Sequence, residues 1–206
     1  MKPECETRTK LLTTALELMW ERSYGSVSVD DICARADVRK GSFYYFFPSK
    51  SDLTVAAFEK NWEQICAKLD QAFSPQHPPL ERFSRFAKAL YQSQTEKKGS
   101  CGKACGCPYI SVGLELSTED ENIRKKVQSI FSGYCRYFES ALNEAEREGL
   151  IPPGNHTETA RAIDALVMGL LVQTKIFNDP EALKNTEQSI FRLIGVDVAQ
   201  SVAAHP

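Results

Sequence analysis

The sequence predicts an all-α protein, with an N-terminal three-helix domain followed by a larger helical domain and about nine helices in total. Three observations lead there. Apolar residues recur at three- and four-residue spacing along most of the 206 residues. Proline and glycine interrupt that pattern at helix-length intervals. No repeat occurs, and no two alternating runs pair as a hairpin. Hydrophobic residues at 42% and charged residues at 25% are ordinary for a globular chain. No apolar run approaches the roughly 20 residues a membrane helix needs. The N-terminal MKPECETRTK has no apolar stretch of the export-signal kind. A cytoplasmic protein, free of membrane, is therefore expected, with its seven cysteines mostly as thiols. Lys+Arg at 25 against Asp+Glu at 27 gives a net charge of −2, which excludes a protein that coats nucleic acid by charge alone.

In chain order, Leu11, Leu12, Ala15, Leu16, Leu18 and Met19 form the stripe of a first helix, closed by Gly25, with Thr7 or Thr9 as its cap. Ser28 caps a short helix, SVDDICARA, with Asp31 three residues on and acidic charge in the first turn. A turn at Asp37 leads to a second short helix, RKGSFYYFF, stopped by Pro48. Ser49 caps a longer helix running to about Phe73. The proline-rich loop 74–79 precedes a helix from Pro79 to about Glu96, and KKGSCGKACGCP reads as a loop rich in Gly and Cys. Further helices are expected from about Pro108 to Leu116, Glu119 to Glu148, Thr157 to Phe177, and Pro180 to Ile194. The domain boundary is placed after the turn at Pro48, giving 1–50 and 51–206.

Residues 27–50, VSVDDICARADVRKGSFYYFFPSK, carry the functional signal. Two short helices joined by a tight turn form a helix-turn-helix. Val29, Ile32, Ala34, Val38 and Phe43 suit its small core. The second helix begins with Arg39, Lys40, Gly41 and Ser42 and continues into Tyr44 and Tyr45. Donors and flat rings at a helix start suit entry into a DNA major groove with phosphates alongside. Gly41 would let a backbone approach closely. Ser28 and Lys50 are phosphate candidates, although Ser28 and Ser49 also serve as caps and Lys50 as a solvated lysine. Tyr44 and Tyr45 suit DNA contact or core; Phe43, Phe46 and Phe47 suit packing. Arg8 and Lys10 would touch phosphate or solvent. Charge adds little, since residues 1–50 hold eight basic and seven acidic residues.

This stretch resembles the N-terminal domain of TetR-family transcriptional regulators. The resemblance lies in Ser28-Val29-Asp30-Asp31-Ile32, Ala34, Ala36, Val38, Lys40-Gly41-Ser42-Phe43-Tyr44 and Phe47-Pro48-Ser49-Lys50, and it is specific over about residues 8–58. Two positions depart from the family pattern: Asp37 stands where Gly is usual in the turn, and Tyr45 where His is frequent. Asp tolerates the left-handed conformation better than most residues. The resemblance implies a homodimer on a palindromic double-stranded operator, each subunit having a DNA-binding domain and a larger domain for ligand binding and dimerisation. It further implies a non-enzymatic repressor released by an effector.

In the second half, Phe86, Leu90, Tyr109, Phe131, Tyr134, Phe138 and Met168 are the effector-pocket candidates, with Phe83, Tyr91 and Leu114 as further lining. Aromatic stripes at helical spacing equally describe core. Ala162, Ala165, Val167, Gly169 and Leu170, then Leu183, Ile190 and Leu193, are the dimer face that the resemblance implies, or are buried within one subunit.

Cys101, Cys105 and Cys107 are spaced C-x3-C-x-C. Three thiols with no histidine nearby fall short of a structural zinc set unless a fourth, such as Cys135, joins them. They would suit a thiophilic ion such as Cu(I), although no cofactor is required. Cys107 precedes Pro108 at a helix start, where the dipole and Lys103 favour a reactive thiolate, and neighbouring thiols could then form a disulfide. Gly-Cys-Pro followed by ISVGLEL looks like the helix of some TetR-family branches in which a cysteine at this point senses redox change or electrophiles. Only Cys107 matches that pattern. Cys33, Cys66 and Cys135 read as core thiols, Cys5 as part of a flexible end, and His77, His156 and His205 as solvated. The competing function is a thiolate metal-binding or thiol-redox protein using Cys101, Cys105 and Cys107. It has no CxxC on a βαβ pattern and leaves Arg39 to Lys50 unexplained.

Overall fold

The computed structural model describes residues 3–196. Among them are nine α-helices and no strand: α1 (Pro3–Glu21), α2 (Val29–Ala36), α3 (Lys40–Phe46), α4 (Lys50–Ala72), α5 (Pro79–Cys101), α6 (Pro108–Leu116), α7 (Glu121–Arg147), α8 (His156–Ile176) and α9 (Thr186–Leu193). A short 3-10 turn, Pro180–Leu183, precedes α9.

Three elements differ from expectation. Helix α1 starts at Pro3, earlier than either threonine cap. Helix α5 runs through Lys97, Lys98 and Gly99 to Cys101, so Cys101 ends a helix instead of lying in a loop. Its stop is Gly102, left-handed at φ 73°, whose N–H donates to the Lys98 carbonyl. The last helix is divided. Asp179 caps the 3-10 turn through Glu181 N–H, and the Thr186 hydroxyl donates to the Leu183 carbonyl at 2.7 Å where α9 begins.

The chain forms two compact units. One comprises the chain through Ile65 together with Cys107–Ile130; the other comprises Cys66–Gly106 and the chain from Phe131 onward. The first unit thus runs to Ile65, within α4, and takes in α6. Its core includes Leu11, Leu18, Met19, Ile32, Phe43 and Phe58, each at most 2% exposed. Tyr109 of α6 joins that core edge-on to Phe58, with a ring separation of 4.8 Å, and its hydroxyl accepts a hydrogen bond from the Asn61 amide at 2.6 Å. Arg8 lies over the Phe47 ring at 5.5 Å, and Lys10 pairs with Glu6.

The second unit is built on an aromatic cluster. Phe73 meets Phe83, Phe86, Tyr137 and Phe138 with centroid separations of 5.7–5.9 Å. Arg82 is buried; it donates to the Glu144 carboxylate at 2.6 Å and to the His77 carbonyl at 2.9 Å. The guanidinium holds the Glu144 carboxyl below the usual carboxylate range, chiefly by hydrogen bonding. His156 is not solvated: it opens α8, is 8% exposed and pairs with Glu146. Burial alone raises the Asp164 carboxyl of α8 from 3.8 to about 6, so its cost to folding builds up as pH rises between those two values and stays constant above. The side chain of Cys5, and all of His205, lie outside the described residues.

Candidate DNA interface and the thiol loop

Helix α2 begins with a complete capping box. The Asp31 N–H donates to Ser28 Oγ at 3.0 Å, and the Ser28 N–H donates to Asp31 Oδ2 at 2.8 Å. The hydrogen bonds from Ser28 hold the Asp31 carboxyl low. The turn falls where expected: Asp37 is left-handed at φ 54°, and its N–H donates to the Ala34 carbonyl at 3.3 Å. Ile32 and Phe43 bury fully at the meeting of α2 and α3.

That packing fixes which side of α3 faces outward. Arg39, Lys40, Gly41, Tyr44 and Tyr45 are exposed, and Ser42 is half-buried. Tyr44 is 52% and Tyr45 72% exposed, which settles them as surface rings and not core. Each is braced edge-on by a phenylalanine, Tyr44 by Phe43 and Tyr45 by Phe46, so the rings stand out with little freedom. A Cβ added at Gly41 would meet nothing within 4 Å, so internal packing does not require glycine there. Lys40 pairs with Asp30 at 2.8 Å, and this hydrogen-bonded pair raises the lysine's pKa. Both partners are exposed, so the pair exchanges readily for an external anion.

Lys50 departs from expectation. Its ammonium turns inward, donates to the Tyr24 and Val27 carbonyls at 2.9 and 2.8 Å, and lies 3.7 Å from the centre of the Tyr24 ring. Desolvation lowers its pKa. Ser49 caps α4, accepting from the Asp52 N–H at 3.1 Å and donating to the Asp52 carboxylate at 2.6 Å.

A second anchor on the same loop went unread in the sequence. Glu115, near the end of α6, accepts the Tyr24 N–H at 2.9 Å and the Gly25 N–H at 2.6 Å, one on each carboxylate oxygen. Asp120, which follows α6, accepts the Ser51 hydroxyl and the N–H groups of Asn122 and Ile123. These bonds link residues up to 91 positions apart, which no local pattern encodes.

The thiol loop is fixed from two sides within the second unit. The amide of buried Gln94 both donates to and accepts from the Gly106 backbone, each at 3.0 Å. Asn178 accepts the Ala104 N–H at 2.7 Å. Gly106 is left-handed at φ 65°, and a Cβ there would sit 2.7 Å from the Leu171 carbonyl oxygen, so glycine is required. Cys105 is buried and donates to the Lys103 carbonyl at 3.6 Å; burial, followed by the neighbouring Cys101, pushes its thiol up. Cys101 donates to the Lys97 carbonyl at 3.1 Å. Cys107 is half-buried and occupies the N-cap of α6 with extended backbone, followed by Pro108 in the first turn. Among the described residues no three His, Cys, Asp or Glu side chains assemble in a metal-binding group.

The seven effector-pocket candidates fall in both compact units. Phe86 and Tyr134 each meet Phe138 within the ring cluster of the second unit, with Phe138 fully buried. Leu90, Phe131 and Met168 are half-buried in that unit. Tyr109 belongs to the first unit, and Leu114 is 80% exposed. Tyr91 donates to Glu181 at 2.8 Å. One described groove, about 760 Å³, lies in the first unit between Arg8, Asp52, Glu59, Lys60 and Lys126; another, about 540 Å³, lies in the second between Arg85, Tyr91 and Lys184. Neither is lined by the seven candidates. On α8, Ala162, Ala165 and Gly169 face outward and continue to Ile176 and Phe177, which are 70% and 73% exposed. Val167, Leu183 and Ile190 point inward.

Residues 11–57 match the family described as bacterial regulatory proteins, tetR family. Residues 79–190, more than half of the chain, match the tetracyclin repressor-like C-terminal domain. The chain belongs to the TetR family. A TetR-family relative from Lactococcus lactis subsp. lactis, an uncharacterized HTH-type transcriptional regulator in the lacX 3' region, is 29% identical over 87% of this chain and 88% of its own length. The HTH-type transcriptional repressor NemR of Escherichia coli K12 is 26% identical over 93% of this chain and 95% of its own. The crystal structure of E. coli NemR in its reduced form superimposes with a TM-score of 0.78 at 25% identity, covering 93% of this chain and 98% of that one. The regulatory protein TetR from Rhodobacter sphaeroides gives a TM-score of 0.81 at 26% identity, covering 90% and 97%. This TetR-family chain is a DNA-binding transcriptional regulator, and its relatives include transcriptional repressors. Among the described residues, no helix is long and apolar enough to cross a membrane.

Proposed function

We propose that the protein is a dimeric repressor that reads a palindromic operator through α3 and leaves it when a thiol of the 101–107 loop is modified. The observation that carries this reading is the position of Cys107. It caps α6, the helix whose other end grips the loop ahead of the helix-turn-helix through Glu115. The chain passes from the second compact unit to the first between Gly106 and Cys107. A group added to Cys107 therefore acts at the start of a helix that belongs to the DNA-binding unit. Burial disfavours the Cys105 thiolate. Cys105 lies two residues and Cys101 six residues before Cys107, so the loop holds two further thiols close in sequence. The relative NemR has been crystallised in a reduced form, which supports a redox-dependent reading of this chain. The outward small-residue stripe of α8 suits the dimer face.

The test is a gel shift on an operator recovered by selection, with protein reduced, treated with peroxide or an electrophile, and loaded with Cu(I). Oxidised or alkylated wild type is expected to lose binding by about tenfold or more, whereas Cys107→Ser keeps reduced-state affinity under every treatment. Equal binding of wild type in all states contradicts thiol control. Loss of binding with Cu(I) alone favours a metal-responsive loop.

A further inference from the structure

Helix α6 holds the loop between α1 and α2 by a contact that has no evident purpose in simple packing. The loop offers two successive N–H groups, at Tyr24 and Gly25, and Glu115 takes one on each carboxylate oxygen. On the same loop, Lys50 takes the carbonyls of Tyr24 and Val27. The segment just before α2 is thus clamped by a carboxylate from α6 on its donors and an ammonium from α4 on its acceptors. Val27, the last residue before the Ser28 cap, is fully buried, so the clamp sets where α2 starts and therefore where α3 points. Glycine at position 25 fits this arrangement. A Cβ there would lie 2.7 Å from Glu115 Oε1 and meets no backbone atom within 4 Å.

We infer that Glu115 is a positioning residue for operator binding: its bidentate hold on Tyr24 and Gly25 fixes the orientation of α2 and α3 against α6. Charge-assisted hydrogen bonds of this kind are directional as well as strong, which suits a part that must hold an angle. The inference rests on the DNA-binding reading and is independent of thiol control, because every measurement below uses reduced protein. Two substitutions reach the same contact from opposite sides. Glu115→Gln keeps the size but sets an NH2 against one of the two N–H groups. Gly25→Ala keeps Glu115, displaces its carboxylate, and suits a backbone outside the left-handed region.

The experiment measures the affinity of wild type, E115Q, G25A and the double variant for the selected operator and for versions with one base pair added to or removed from the half-site spacing. Circular dichroism melting of each variant reports folding. Each single change is expected to weaken binding at the native spacing by about 5–50-fold and to shrink the preference for that spacing, with thermal midpoints close to wild type. The double variant is expected to be no weaker than the weaker single variant, because both remove one contact. Wild-type affinity and spacing preference in both single variants would overturn the inference. So would additive losses that are equal at every spacing, which would mark general destabilisation instead. If wild type itself selects no operator, the DNA-binding reading fails, an outcome distinct from either of these.

Discussion

The double variant Arg39→Ala, Lys40→Ala is expected to bind the selected operator at least about thirtyfold more weakly than wild type, each side chain contributing about 1–3 kcal/mol. Both stand exposed at the start of α3, on the side left open when Phe43 buries against α2. Neither carries weight in the core, so folding should be unchanged. The two single variants separate their roles. A lysine on phosphate should lower affinity evenly across sequences and reduce the salt dependence of binding by about one unit of slope. An arginine on a base edge should relax specificity at one operator position. Lys40 is tied to Asp30 in the free protein, and that exposed pair is worth little, so breaking it costs DNA binding little. Gel shifts at two salt concentrations check both roles.

Phe138→Ala is the substitution expected to damage the fold most, by about 3–5 kcal/mol. The ring is fully buried and meets Phe73, Phe83, Phe86 and Tyr134. Removing it leaves a void that four other aromatic rings, on α5, on α7 and at the residue after α4, cannot all close. Because Phe138 lies in the second unit, the loss should appear as a lowered thermal midpoint, while reduced protein that is still folded keeps operator affinity. Chemical denaturation followed beside a gel shift measures both. A pocket-lining role for Phe138 would instead leave stability near wild type.

What the sequence made legible was local. The Ser28-x-x-Asp31 spacing carries its own capping box, Asp37 carries its own turn, and Gly-Cys-Pro carries the start of α6. Each is decided within a few residues by backbone chemistry. What it hid was long-range. Lys50 after a proline turn reads as a phosphate ligand, yet two carbonyls and a ring more than twenty residues earlier claim its charge. His156 beside two prolines and a glycine reads as solvated, yet it is buried and pairs with half-buried Glu146. Aromatic positions at helical spacing look the same whether they close on each other or on a ligand; here Phe86 and Phe138 close on each other, and Tyr109 meets Phe58. Glu115 gave no signal, because a glutamate near a helix end is ordinary until the loop it holds is in place.

Selection of bound sequences from a random duplex library, followed by footprinting of the reduced wild-type protein, tests the central claim most directly. A dimer reading DNA through two copies of α3 should recover a palindrome and protect two major-groove segments about 34–36 Å apart, one turn of the duplex. Recovery of no consensus, or protection of a single unpaired segment, would contradict it.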